Sequence, residues 1–295
     1  MIKSNNSIKK ICLTYLVSLI PLIFYGFYKN GISLYIKGYV GIFGMLKPLL
    51  FIIIGGLIGI IINIIYNKRI LKNDNNIIDS IFSSFHMIYG ILIACISSIN
   101  TNIILFTTVT FIVLFVSKFI KDNKINVVAL ASLIIFFIMN IFGEFSFLNI
   151  YEASNNFKMN TIDYLFGKGS GGIFTTNILL LIISFIILYC SKVYKRNIPI
   201  YSFIVFLILC VIYCIINNDI VNILNMLFTN GILFSFIFIA TETTSSSYTK
   251  SGQIVYGIVV GIFTFLLYLI QPALSSFGAI LIASILNSLI DLKFE

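Results

Sequence analysis

Ten runs of mostly apolar residues, each roughly 20 long and separated by short polar stretches, constrain this chain more than any motif in it. A bilayer core of about 30 Å is crossed by about 20 apolar residues in a helix. Backbone groups in lipid must be bonded internally, and the runs lack the alternation of barrel strands, so the reading is helical. Composition agrees, with 10% charged residues and a mean hydropathy of +1.08, where soluble domains carry about 25% charge. The expectation is an all-α integral membrane protein with about ten transmembrane helices in two inverted five-helix halves. Its spans read as Ile11 to Phe27, Gly44 to Tyr66, Ile78 to Ser97, Ile103 to Ile120, Val127 to Phe147, Ile173 to Ser191, Pro199 to Ile216, Ile223 to Ala240, Gln253 to Ile270, and Leu274 to Ile290. Residues 1–295 then form a single membrane domain, divided into a first half (1–148), an outer loop (149–172) and a second half (173–295). The first run has no small-residue cleavage site, so no cleavable signal peptide is expected.

The cations test this count. Lys3, Lys9 and Lys10, then Lys68, Arg69 and Lys72, then Lys118, Lys121 and Lys124, then Lys192, Lys195 and Arg196, and finally Lys250 and Lys293 all fall on one face. Those are 14 of the 19 Lys and Arg residues, and the positive-inside rule assigns that face to the cytoplasm. Both termini are therefore expected to be cytoplasmic in the cell membrane. The net charge of +9 is read as this topology signal, with no nucleic-acid partner implied. Five spans on each side of the outer loop run in opposite directions, and inverted halves build a central site from interrupted helices. Gly31 to Gly44 and Ala240 to Gly252 are the expected interruptions. No residue-level repeat links the halves.

Chemistry-bearing residues are sparse. The densest polar stretch lies within Leu227 to Gly261, where Thr241, Thr243, Thr244, Ser245, Ser246 and Ser247 surround Glu242. It reads either as a solvated loop or as an unwound helix end able to hold a flavin edge or a cation. His86, within the third span, reads as a hydrogen-bonded polar residue inside the bundle or as a site residue. Cys12, Cys95, Cys190, Cys210 and Cys214 lie in apolar runs and read as small buried hydrophobes; Cys210 and Cys214 share a helix face. Asp79 and Glu144 read as boundary anchors. The outer segment Tyr151 to Asn177 carries Gly167, Gly169, Gly171 and Gly172, which permit close backbone approach to a ligand or simply a loop. No metal-ligand cluster and no nucleophile–base pair is legible.

The succession of short segments resembles the D-type subunit of the Rnf-type electron-transport complex, which is similar to the B-type subunit of the sodium-pumping NADH:quinone oxidoreductase. An A-T-D-P-V-T-S-P segment followed by K-G-x-x-x-Y-G appears as Ala240 to Ser247 and then Lys250 to Gly257. A basic-I-P entry appears as Arg196-Asn197-Ile198-Pro199. An N-x-x-N-P-A segment appears as Asn123 to Ala129, and G-G-x-x-E-T-S as Gly171 to Asn177. A final N-x-x-I-D appears as Asn287 to Asp291. The resemblance implies a membrane subunit of an ion-translocating ferredoxin:NAD oxidoreductase, working with other membrane subunits and lacking a self-contained catalytic site. It also implies a flavin mononucleotide (FMN) joined through its phosphate to a threonine in the outer loop. The counterpart here is Ser154-Asn155-Asn156-Phe157, and Phe157 has no hydroxyl to form that phosphoester; Thr161 is the displaced alternative. The residues expected around a cofactor are Ser154, Thr161, Thr175, Thr176, Thr241, Glu242, Thr243 and Thr244. Two alternatives to the redox reading are a flavin-free small-solute channel or transporter of urea-channel-like architecture, and a structural membrane subunit.

Overall fold

In a computed structural model, residues 5–70, 80–120, 124–148, 161–191, 193–219 and 222–294 are described. Each of the ten apolar runs forms helix, and no strand occurs among the described residues. The helices are α1 (Asn5–Phe27), α2 (Ile42–Ile65), α3 (His86–Ile96), α4 (Ile103–Phe119), α5 (Val127–Ile141), α6 (Ile178–Tyr189), α7 (Asn197–Ile216), α8a (Asn222–Phe228), α8b (Ile232–Ile239), α9 (Lys250–Ile270) and α10 (Ser275–Phe294). Among the described residues, five helical stretches are long and apolar enough to cross a membrane, and α8a with α8b makes a sixth if the bent pair counts as one span. The other four runs form shorter apolar helices, α3 to α6. The chain is thus an all-helical, multi-span membrane protein.

Several runs are helical over less than their apolar length. The third has helical residues 80–81, then a turn through residues 82–85, and its main helix begins at His86. Helix α5 stops at Ile141, which leaves Glu144 beyond its end. The eighth run breaks at Thr229–Asn230–Gly231, where Asn230 (φ 56°) and Gly231 (φ 69°) adopt left-handed backbone and the helix axis turns by 42°. Hydropathy averages over that triplet, whereas its Asn-Gly pair is turn chemistry. The expected interruption over Gly31 to Gly44 falls at residues 37–41, where the chain turns between α1 and α2. Helix α1 passes through a π-turn at Tyr28–Ile32 and continues to Ile36. A side chain at Gly31 would meet the Met45 carbonyl oxygen, so its absence permits close approach of α2.

The sixth run starts as non-helical chain. Residues 171–178 are all buried, and their backbone bonds to the far end of α3. The Ile173 N–H donates to the Ser97 carbonyl at 3.0 Å, and the Phe174 N–H to that of Cys95 at 3.1 Å. Asn30 Nδ2 donates to the Ile173 carbonyl at 2.8 Å, and the Asn230 N–H to that of Ser170 at 2.8 Å. Non-helical backbone at membrane depth is tolerated when protein groups satisfy it in this way.

Packing ties the ends of the fold together. Helix α1 lies on α6 and α5 lies on α10, while α2 holds α3 and α4 as α9 holds α7 and α10. The α2–α3 contact is backbone on backbone, since Gly55 faces the Gly90 carbonyl and Gly59 faces that of His86. Small residues of this kind let helices associate in lipid, where apolar side chains gain little from meeting one another. The result is a tightly held frame around the turns that follow α8b and precede α3.

Candidate functional site

Helix α8b ends in a π-turn, Ser235–Ile239, and the chain leaves helical geometry at Ala240. Serine and threonine hydroxyls offer backbone groups local alternatives to the helix ladder, which is why such a cluster unwinds a helix end. Helix α9 then restarts with Thr249 as its cap, accepting from the Gly252 N–H at 3.0 Å. Between them Glu242 is turned inward and is only 4% exposed. Its carboxylate accepts from Thr244 Oγ1 at 2.6 Å and Ser245 Oγ at 2.8 Å, with the Tyr89 hydroxyl alongside, 3.5 Å from Thr244 Oγ1. Ser246 Oγ bonds the Glu242 carbonyl. Thr241 and Ser245 to Ser247 are buried with Glu242 while Thr244 is exposed, so the stretch is packed on one side and reaches the surface on the other.

Both halves of the chain supply its walls. Tyr15 of α1 meets Thr241 Oγ1 at 3.2 Å through its hydroxyl. Asn126, the cap of α5, donates to the Ile239 carbonyl at 2.9 Å and to Ser245 Oγ at 3.1 Å. Lys195 reaches in from the segment before α7, and its Nζ donates to the Thr243 carbonyl at 3.3 Å and to the carbonyl and Oγ of Ser246, each at 2.7 Å. From α10, Asp291 accepts from Ser247 Oγ and from Asn287 Nδ2 at 3.1 Å. The buried Tyr256 hydroxyl and Asn287 Oδ1 have no hydrogen-bond partner among the described residues.

Burial pushes the Glu242 carboxyl above its ordinary range; the Thr244, Tyr89 and Ser245 hydroxyls and the Lys195 charge act against that shift. A carboxyl so placed, with hydroxyl oxygens around it, is chemically equipped to exchange a proton or to face a small cation. Of the residues expected near a cofactor, Thr241, Glu242, Thr243 and Thr244 come together here. Thr175 and Thr176 do not join them. They are buried on the non-helical segment before α6, with Thr175 Oγ1 donating to the Gly172 carbonyl at 3.2 Å and lying against Gly231. Gly231 precedes α8b and Glu242 follows it, so the eight residues of that helix, about 12 Å at 1.5 Å per residue, lie between the two groups. Thr161 opens a five-residue helix, Thr161–Leu165, and is exposed. Ser154, Phe157 and Asp79 lie outside the described residues.

His86 is buried with its ring nitrogens 2.9 Å from Ser84 Oγ and 3.3 Å from Ser117 Oγ, in keeping with a hydrogen-bonded residue inside the bundle. Cys12, Cys95, Cys210 and Cys214 are buried, with Cys214 Sγ 3.7 Å from Met226 Sδ. Cys190, at the end of α6, is exposed, because the helix stops there. Tyr15, Tyr89 and Lys195 carry no signal in the sequence that ties them to Glu242. Lys195 reads there as one more topology cation. Asn126 and Asp291 fall in the resembling segments but stand out only once folded.

A profile described as the NQR2, RnfD, RnfE family matches residues 1–295. A stretch of 127 residues, 41% of this chain, is 31% identical to a Haemophilus ducreyi protein named as the D-type subunit of an ion-translocating oxidoreductase complex. That stretch spans 36% of the relative's length. The family match covers the whole chain and includes every wall of the Glu242 site, from Tyr15 to Asp291: this protein belongs to the NQR2, RnfD, RnfE family.

Proposed function

We propose that the chain is a D-type membrane subunit of an Rnf-like ion-translocating oxidoreductase complex in the cell membrane, with both termini cytoplasmic, and that the Glu242 site takes part in ion movement. The single observation that supports this most is a carboxylate buried between two sets of helices, ringed by hydroxyls, with Lys195 held close by. Two hydroxyls already occupy the carboxylate, which suits a proton or a small cation better than the edge of a flavin ring. Neutralising Glu242 removes the charge that opposes Lys195, while the Thr243 and Ser246 oxygens still hold the ammonium. The local structure therefore has a means of persisting in both states. Glu242→Gln in the purified complex, reconstituted in vesicles, tests the proposal: ion uptake is lost while assembly of the complex and electron transfer to an artificial acceptor persist. Unchanged uptake per turnover refutes it.

FMN, when bound, would supply electron-carrying chemistry. Thr161 is the side chain offered for its phosphate, because its hydroxyl is exposed at a helix start, whereas Thr175 is packed and already bonded. In-gel fluorescence of the denatured chain, lost in Thr161→Ala, is the expected result. Fluorescence retained in that variant places the attachment elsewhere, and none in either protein removes the flavin from the proposal.

A further inference from the structure

A second polar cluster lies at the inner ends of α2, α3 and α4, and the Glu242 site does not use it. Lys118 Nζ donates to Ser84 Oγ at 2.7 Å and to Asn63 Oδ1 at 3.1 Å, 4.9 Å from the centre of the Tyr66 ring. Ser84 and Ser117 flank the two nitrogens of His86. Every one of these partners is neutral, and no carboxylate pairs with Lys118 among the described residues. Lys168 differs, having Asp163 at 2.7 Å, and so does Lys195, which has Glu242 in its field. A cation partly withdrawn from water onto neutral groups keeps a solvation deficit. An arriving anion relieves it.

The surroundings indicate what kind of anion. Ser84, Ser117 and Lys118 are half-buried, so the cluster is reached from the side. Along the same helix Phe111, Phe115 and Phe119, at four-residue spacing, are 42%, 37% and 47% exposed, and Tyr66 stands edge-on to Phe119 at 5.8 Å. An apolar aromatic ridge therefore leads along α4 to a cationic, hydroxyl-lined end on the cation-rich face, where Lys68 is exposed as well. That is the amphipathic outline of a phospholipid, with chains on the ridge and phosphate at Lys118. A free anion has no use for the ridge.

We infer that this cluster binds the phosphate of an anionic phospholipid from the leaflet on the cation-rich face, with Lys118 as the donor that Ser84 Oγ positions. The test uses the full-length protein in a neutral detergent, with melting followed by a thiol-reactive dye that reports exposure of the buried cysteines. Phosphatidylglycerol raises the melting temperature of the wild type in a saturable way, and phosphatidylcholine does not. Lys118→Gln shifts the phosphatidylglycerol midpoint by more than tenfold. Lys68→Gln, which removes one surface charge on the same face, shifts it by about fivefold or less. Ser84→Ala keeps the charge, weakens the midpoint by about threefold or more, and decides the matter should Lys118→Gln not purify as a monodisperse species. Equal responses to the two lipids, equal effects of the two lysine variants, an unshifted Ser84→Ala, or the same stabilisation by millimolar inorganic phosphate alone would each overturn the inference.

Discussion

Adjacent glycines on α2 offer a sharp test of how closely this fold is packed. A Cβ placed on Gly55 would overlap the carbonyl carbon and oxygen of Gly90, and one on Gly90 would overlap the same atoms of Gly55. These are backbone atoms of two helices, which no rotamer change can move aside. One residue on, a Cβ at Gly56 would meet only the Ile91 side chain, at 3.5 and 3.7 Å, which is ordinary contact. Both substitutions to alanine gain about 1 kcal/mol of helix propensity. That gain cancels in the comparison and leaves the overpacking cost, about 1–3 kcal/mol, as the expected difference. Gly55→Ala should therefore be the less stable by that amount in a denaturing-detergent titration of the purified protein, and Gly56→Ala should equal or exceed the wild type. If the two variants agree within about 0.5 kcal/mol, a spread typical of surface changes, then α2 and α3 do not touch along their backbones and the glycine-tied frame is wrong.

Asn126→Ala loses a helix cap, about 1 kcal/mol, and the amide's bonds to the Ile239 carbonyl and Ser245 Oγ; that carbonyl keeps the Glu242 N–H at 3.2 Å, so each lost bond adds about 0.5–1.5 kcal/mol. Asn102→Ala, which removes a cap bonded only to its own helix, should cost the first amount alone in the same titration. Gly231→Ala forces a left-handed residue into contact with Thr175, so it should cost more than the about 1–2 kcal/mol of backbone strain. Gly38→Ala, also left-handed but with open space around it, should cost only that strain. Burial holds the Glu242 carboxyl above its ordinary 4.5, so the folded protein keeps a proton that the unfolded chain has released. Its contribution is therefore fully present below about pH 4.5 and is lost as pH rises through the folded-state value. Melting temperature against pH should show this decline, and Glu242→Gln should remove it.

The membrane class and the ten helical segments were legible in the sequence because each rests on a local sum, either hydropathy or cation placement. What escaped were the places where backbone geometry departs from composition. The eighth run reads as one apolar span, yet three residues, Thr229 to Gly231, turn it by 42°. The sixth reads as helix from Ile173, yet it is helical only from Ile178, and the Ile173 and Phe174 amides pair with carbonyls at the end of α3 instead. Both depend on partners far away in the chain, which no window along the sequence contains. The Glu242 cluster was legible as a composition and illegible as a site. Its inward orientation is set by Tyr89, Asn126 and Lys195, between 47 and 153 residues away.

Burying one carboxylate and four hydroxyl side chains, those of Thr241 and Ser245 to Ser247, at a helix end is costly unless nearly every polar atom is bonded. Here the bonds come from elements that also fix the frame: the Asn126 amide is at once the α5 cap and a donor to α8b, and Lys195 closes the turn before α7 begins. A change of charge at Glu242 is therefore felt first at Lys195 and Tyr89, on two different helical layers, rather than within the turn alone. The orphaned Tyr256 hydroxyl and Asn287 Oδ1 mark where that network is incomplete. If a cation enters this region, the Asn287 oxygen beside Asp291 is the buried acceptor still unspent. Asn287→Leu removes that acceptor together with the Nδ2 bond to Asp291, so it should impair ion uptake and lower the melting temperature modestly. A variant that melts early and translocates normally would assign Asn287 to the packing of α10.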